Sequence, residues 1–222
     1  MCIGTSEGLR LFLALALHSR DRFIINLLPL LQRATALRRV VTVACGGKEG
    51  RVDAADFEGW NVSMFSARGH LASLITLSLE ALAKKAPDVS FIHDFPGPVK
   101  TGIGRDAGGL AMLLLKAVFT VIGPFVYIPN EECGERHLFV ATSARYPPAT
   151  GGNAGVQLES TAVVVARGID GKDGSGVYSI DWDGESASTK VILDNYRKEG
   201  MVEKIWKYLE EEYIRITGQK SI

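Results

Sequence analysis

Apolar positions along this chain fall into long helix-like stretches separated by short β-branched runs. From Leu9 to Leu31 the apolar density is high and opens after Ser6-Glu7-Gly8, which predicts one long buried helix. Pro29 is expected to kink its last turn. Arg39 to Ala44, RVVTVA, closes at Gly46-Gly47 and reads as a buried strand. A polar loop with Asp53, Asp56 and Gly59 precedes a second helix, Met64 to Lys85, whose Leu71, Leu74, Ile75, Ser78 and Leu82 share one side. Pro87 ends that helix, and Val89 to Phe95, VSFIHDF, is the next strand.

The pattern then turns helical up to Tyr146, passes a Pro/Gly loop from Pro147 to Gly155, and offers one more strand within Gly174 to Trp182. Asn195 to Ile216 reads as a final amphipathic helix. Helices alternating with short apolar strands predict an α/β fold, a Rossmann-like layered parallel sheet with helices on both faces. Residues 1–222 are expected to form a single domain.

One stretch tests that picture. Leu110 to Ile128 is almost continuously apolar, broken by Lys116, Thr120, Gly123 and Pro124, and is just long enough to cross a bilayer. A buried helix with a turn at Gly123-Pro124 accounts for it as well, and Lys116 at the centre of a lone span is costly. Insertion is therefore not expected; of the membrane alternatives, a monotopic contact is the more favourable.

Composition narrows the classes further. The 25 basic and 25 acidic residues cancel, so total charge gives no reason to propose nucleic acid or an anionic membrane as partner. Cys2, Cys45 and Cys133 form no C-x-x-C pair and no disulfide framework, so a metal site is not expected and a cytoplasmic, reducing location is the default. The N-terminus carries no basic region ahead of its apolar run and no small-residue cleavage site, so no signal peptide is read there.

The order of parts resembles a known family. The helix with Asn26–Leu30, NLLPL, precedes RVVTVA, and the helix ending LEALA (Leu79–Ala83) precedes VSFIHDFPGPVKT (Val89–Thr101). This succession is similar to the short-chain dehydrogenase/reductases from their fourth helix onward, particularly a fungal-type branch with SARGHxAS, here Ser66–Ser73. The resemblance covers most of the chain, and P-G-x-V-x-T is its most specific element. It implies a Rossmann-type fold, often oligomeric, and NADP- or NAD-linked alcohol or carbonyl chemistry on a small-molecule substrate, conceivably in secondary metabolism. It also implies that Pro96, Gly97, Val99 and Thr101 hold the cofactor's nicotinamide end, although a plain strand-to-helix turn reads equally well.

Two departures qualify this. The Gly-rich strand–turn–helix that cradles the pyrophosphate in the family has no counterpart here, so the domain is expected to lack the usual first strands. The G-x-G-x-x-A run from Gly102 to Ala107 follows Pro96-Gly97 rather than its strand directly, and no strand-end acid follows, so it reads as a loop. The family's Tyr and Lys, four residues apart, are also missing: Met64 and Arg68 stand in their places. Met64 has no exchangeable proton, and Arg68 keeps a positive charge but is no ordinary proton donor.

The family's Ser maps near Cys45 and its helix Asn near His18, so His18, Cys45 and Arg68 are the candidate catalytic residues. For Cys45 the alternative is a buried inert thiol, and for His18 a hydrogen-bonded helix histidine. His93 and Asp94 end a strand where α/β sheets place ligands and are candidate pocket residues. His70 is expected to point away from Arg68, and Glu132, Glu135 and His137 to cap a helix or face solvent. Three readings stay open: an oxidoreductase, a non-redox isomerase, lyase or cyclase reusing the fold, and a non-catalytic remnant. An exposed sheet edge also suggests a homo-oligomer.

Overall fold

The computed structural model describes residues 3–102, 109–152, 155–159, 163–187 and 189–219. The predicted first helix is a continuous run of three pieces: α1 (Leu11–Leu13), a π-helical turn (Ala14–His18) and α2 (Ser19–Arg33), which carries Pro29 inside it. It is buried on one side only. Leu13, Leu17, Ile24, Ile25 and Leu28 enter the core, whereas Leu15, Phe23, Leu27 and Leu30 are exposed. The spacing of the inward set follows one helical face, as amphipathic packing requires.

Three parallel strands follow, β1 (Arg39–Val43), β2 (Ser90–Asp94) and β3 (Val177–Ile180), in that spatial order. β2 is central and wholly buried, as a strand covered on both faces should be. Between β1 and β2 lies α3 (Met64–Lys85), capped by the Ser63 hydroxyl accepting from the Ser66 N–H at 3.3 Å. Lys84 and Lys85 sit in its last turn, where positive charge suits the helix dipole.

Alternation along β2 sorts the layers. Phe91 joins the larger core with α2, α3 and the C-terminal helix, while Ile92 joins a second core with Val140, Tyr146 and Tyr178. Helices therefore cover both faces, which makes this a Rossmann-like open sheet. Pairing of β1 and β3 ends there: neither has a further strand beside it among the described residues.

Two expectations need correction. The predicted last helix is two: α6 (Lys190–Lys198) and α7 (Met201–Thr217), broken at Gly200, whose φ of 66° lies in the left-handed region that glycine tolerates. α7 packs on α3 through Val202, Ile205, Trp206, Leu209 and Tyr213. Most of the apolar side chains described on α4 (Leu110–Val126), Leu113 and Val118 among them, are exposed, and the helix runs through Gly123-Pro124 instead of turning there. Val121 is 72% exposed and Phe125 89%. No described helix is long and apolar enough to cross a membrane. A last helix, α5 (Asn130–Thr142), lies against β1.

Close approach explains two glycines. A Cβ on Gly46 would stand 2.2 Å from the His93 carbonyl oxygen and 2.6 Å from that of Ile180, both backbone atoms of the sheet. A Cβ on Gly134, inside α5, would meet nothing within 4 Å. Gly46→Ala is expected to destabilise the fold by about 2 kcal/mol or more through overpacking, and Gly134→Ala to stabilise it by roughly 0.5–1 kcal/mol. Urea unfolding of both variants checks this; equal midpoints would contradict it.

Candidate functional site

The C-terminal ends of the three strands meet at one edge. Cys45-Gly46-Gly47 leave β1, Phe95-Pro96-Gly97 leave β2, and Asp181-Trp182 leave β3. This is where open parallel sheets bind ligands.

A buried hydrogen-bond chain holds the first of these segments. The Cys45 N–H donates to His93 Nε2 at 3.1 Å, so that nitrogen must be unprotonated. His93 Nδ1 lies 2.8 Å from the Thr76 hydroxyl and carries the ring proton that bonds it. Thr76 in turn donates to a Glu49 carboxylate oxygen at 2.8 Å, and the same oxygen accepts from Ser179, whose hydroxyl accepts from the Gly47 N–H at 2.7 Å. Both ring nitrogens of His93 are thus used internally. Burial, with the charge of Arg20, pushes its pKa down to about 3. His93 lies inside the protein and is not a pocket residue.

Cys45 and Arg68 come together here, with the thiol 3.9 Å from the Arg68 carbonyl. Burial pushes the Cys45 pKa up to about 11, so the thiol stays protonated at neutral pH and matches the inert alternative. The Arg68 guanidinium lies 4.6 Å from the centre of the Phe95 ring, and the Lys48 ammonium 5.1 Å from the same ring. Lys48 also pairs with Asp181 at 2.7 Å. Met64, which takes the family's Tyr place, is 83% exposed. His18 belongs to another cluster. Its Nε2 lies 2.5 Å from Glu58, which also accepts from Tyr208, and its carbonyl accepts from Tyr213 on α7 at 3.1 Å. His70 is buried and bonded to Phe57 and Asp53, away from Arg68's stacking partner.

The turn after β2 is tightly seated. Gly97 has φ 79°, and a Cβ there would meet Ile128 at 2.3 Å and Trp182 at 2.9 Å. Val99 N–H donates to Gly97 at 3.0 Å, and Ile128 N–H to Pro98 at 2.9 Å. Thr101 is exposed, and the Gly-x-Gly run continues outside the described residues after Gly102.

Asp94 faces the other side of the sheet from His93, toward α5. His137 Nε2 lies 3.0 Å from its carboxylate, so His137 is neither a cap nor a solvent group as expected. Glu132 pairs with Arg136 one turn along the same helix. Asp94, Pro96, Cys133, His137, Phe139 and Trp182 border a cavity of about 250 Å³. Burial pushes the Asp94 pKa up to about 6 despite the His137 partner. The sequence pattern placed His137 on one helix face with Cys133, four residues before it, but gave no sign of Asp94 as its partner.

An open parallel sheet with a polar, partly charged rim at its strand ends defines a Rossmann-like α/β protein with a ligand edge. No family model matches the chain. It is 39% identical over 210 residues to an oxidoreductase of Emericella nidulans, covering 93% of this chain and 62% of that one. With an oxidoreductase of Emericella variicolor the identity is 33%, covering 96% and 64%, and with a short-chain dehydrogenase/reductase of Stachybotrys chartarum 27%, covering 92% and 58%. The chain thus spans about three fifths of the length of the curated relatives it matches. The relatives it resembles are named oxidoreductases, one of them a short-chain dehydrogenase/reductase.

The depressed His93 pKa makes a prediction. Its stabilising effect is complete above the unfolded value of about 6.5 and is lost as pH falls toward the folded value of about 3. Asp21, pushed up to about 7 by burial, and Asp94, up to about 6, work in the opposite sense and lose their effect as pH rises. Comparison with His93→Gln isolates the histidine. The stability gap between native chain and variant is expected to widen by up to about 1.4 kcal/mol per pH unit between roughly pH 4 and 6. A gap that stays constant in urea melts over that range would refute the neutral, buried imidazole.

Proposed function

We propose that the chain serves an oxidoreductase acting on an alcohol or carbonyl group of a small molecule, with NADP or NAD as cofactor. The observation that carries this is the convergence of three parallel strand ends on one rim, in a chain related to oxidoreductases. Cofactor chemistry here would be hydride exchange at a nicotinamide ring.

The described residues fit one half of such a cofactor. The turn of Pro96, Gly97, Val99 and Thr101 lies on the rim, and Arg68 places a positive charge beside it. Among the described residues no Gly-rich strand–turn–helix stands ready for a pyrophosphate. Of the other candidates, Cys45 contributes its backbone N–H to the loop rather than a nucleophile, and His18 is hydrogen-bonded to Glu58, which also accepts from Tyr208. The non-redox reading gains from one observation: the protonable pair nearest the rim is Asp94–His137, a histidine and a carboxylate in contact at 3.0 Å.

Self-association belongs to this proposal. Among the described residues the outer edge of β1 has no strand beside it, and Phe23, Leu27, Leu30 and Val40 line an apolar groove of about 410 Å³ next to it. A second copy is the occupant a bare parallel edge invites. A cytoplasmic setting and a role in secondary metabolism complete the reading.

Titration with NADPH and NADH, followed by nicotinamide fluorescence, is expected to show saturable binding weaker than micromolar that Gly97→Val abolishes. No saturable signal from either nucleotide would overturn the cofactor assignment. Sedimentation is expected to give a dimer or larger species that Leu27→Glu reduces to monomer, and a native monomer would remove the second copy.

A further inference from the structure

We infer that α4 is a membrane-surface anchor, a helix that lies flat in one leaflet of a phospholipid bilayer and holds the strand-end rim beside it. The chain leaves the rim after Val99 and returns to it at Ile128. Those two residues pair in a parallel bridge, and the Ile128 N–H donates to the Pro98 carbonyl at 2.9 Å. α4 therefore belongs to an excursion tied at its base to the turn after β2. None of its described side chains enters either core.

Helical geometry sorts those side chains. With about 3.6 residues per turn, Lys116, Thr120 and Gly123 line up in one narrow seam, and the Tyr127 ring lies against Gly123 at its end. Leu113, Val121, Phe125, Val118, Ile122 and Val126 follow in that order around the rest of the circumference, and all six are exposed. Well over half of the helix surface is thus apolar and uncovered. A groove on a second copy, or a fold-back of α4 onto the rim, covers one side of a helix. A bilayer surrounds an immersed helix on every side but its polar seam, and so removes the whole apolar arc from water.

Length and polarity fit the same occupant. The 17 residues of α4 rise about 1.5 Å each, short of a hydrocarbon core of about 30 Å. The helix therefore lies along the surface rather than across it. It holds no acidic residue, and its one cation, Lys116, stands in the seam. From there an ammonium reaches the phosphate level while its stem stays among acyl chains. The Thr120 hydroxyl donates to the Lys116 carbonyl at 2.8 Å, so its hydrogen bond is kept inside the helix. Phe119 and Tyr127 stack with ring centres 5.9 Å apart and place an aromatic pair at the seam's end, as suits the headgroup boundary. Basic and acidic residues cancel over the chain, so retention on lipid comes from the apolar arc rather than from headgroup attraction. No nucleotide takes part, which makes the anchor separable from cofactor binding.

Flotation of the whole chain with phosphatidylcholine vesicles in a sucrose gradient tests this. The native chain is expected to float with the vesicles and to stay with them in high salt. Val121→Glu combined with Phe125→Glu should lower the partition coefficient by about tenfold or more. Its urea midpoint should stay at the native value, because both positions are exposed. Phe125→Trp should still float, and its added indole emission should move to shorter wavelength on the vesicles. Leu27→Glu, on the other exposed apolar face, should float as the native chain does. A native chain that stays below the vesicles, or that salt releases from them, would overturn the anchor. So would flotation that Leu27→Glu abolishes and the double variant leaves intact. A lipid-free sedimentation coefficient that the double variant lowers would also overturn it, since a second copy would then be what covers α4.

Discussion

The strand-end rim depends on one buried side chain, His93, and on the direction of its hydrogen bonds. The Cys45 N–H fixes Nε2 as acceptor, and every later bond in the chain to Thr76, Glu49 and Ser179 then has one permitted direction. These residues come from β2, α3, the loop after β1, and β3, so one network ties the whole sheet to the loop that closes its edge. Breaking one link strands a buried polar group, at a cost of about 1–3 kcal/mol. The network also brings the loop so close that Gly46 has no room for a side chain between the His93 and Ile180 carbonyls.

Pleating explains why the next residue behaves so differently. Asp94 points to the opposite face, where α5 supplies His137 instead of hydroxyls. His93 has one proton and two fixed partners, so it is locked neutral. Asp94 and His137 instead border a cavity. Two adjacent residues of one strand thus divide into an anchor for the loop after β1 and a partner for α5.

Much of the fold was legible in the sequence because it is local. The β-branched RVVTVA and the apolar VSFIHDF marked β1 and β2 to within a residue at each end, and Pro87 marked the end of α3. The absence of Tyr and Lys on α3 was legible too, since it needs no tertiary information. Gly200 was in plain view yet overruled by the apolar period running through it, so α6 and α7 read as one. The exposure of α4 was illegible for a deeper reason: an all-round apolar helix looks the same to local periodicity whether or not anything covers it. Asp94 and His137 are far apart in the chain, and only the folded sheet brings them to 3.0 Å. His93 and Asp94 read alike as strand-end polar residues, and the face each would take depended on where α3 and α5 dock.

Proton chemistry at the rim follows from burial more than from residue type. Cys45 is held as a thiol, with a pKa pushed up to about 11, and His93 as a neutral ring, pushed down to about 3. Arg68 keeps its charge at any relevant pH. Cys45 and His93 are each frozen in one state because desolvation acts on them without an opposing partner able to exchange a proton. At Asp94 desolvation raises the carboxyl and the neighbouring imidazole draws it only part of the way back, to about 6. A group fixed far from neutrality can neither give nor take a proton, whereas a carboxyl near 6 lies closer to it. In this chain the docking of α5 on the sheet, rather than the helix that carries Met64 and Arg68, therefore supplies the partner that Asp94 meets as it is buried.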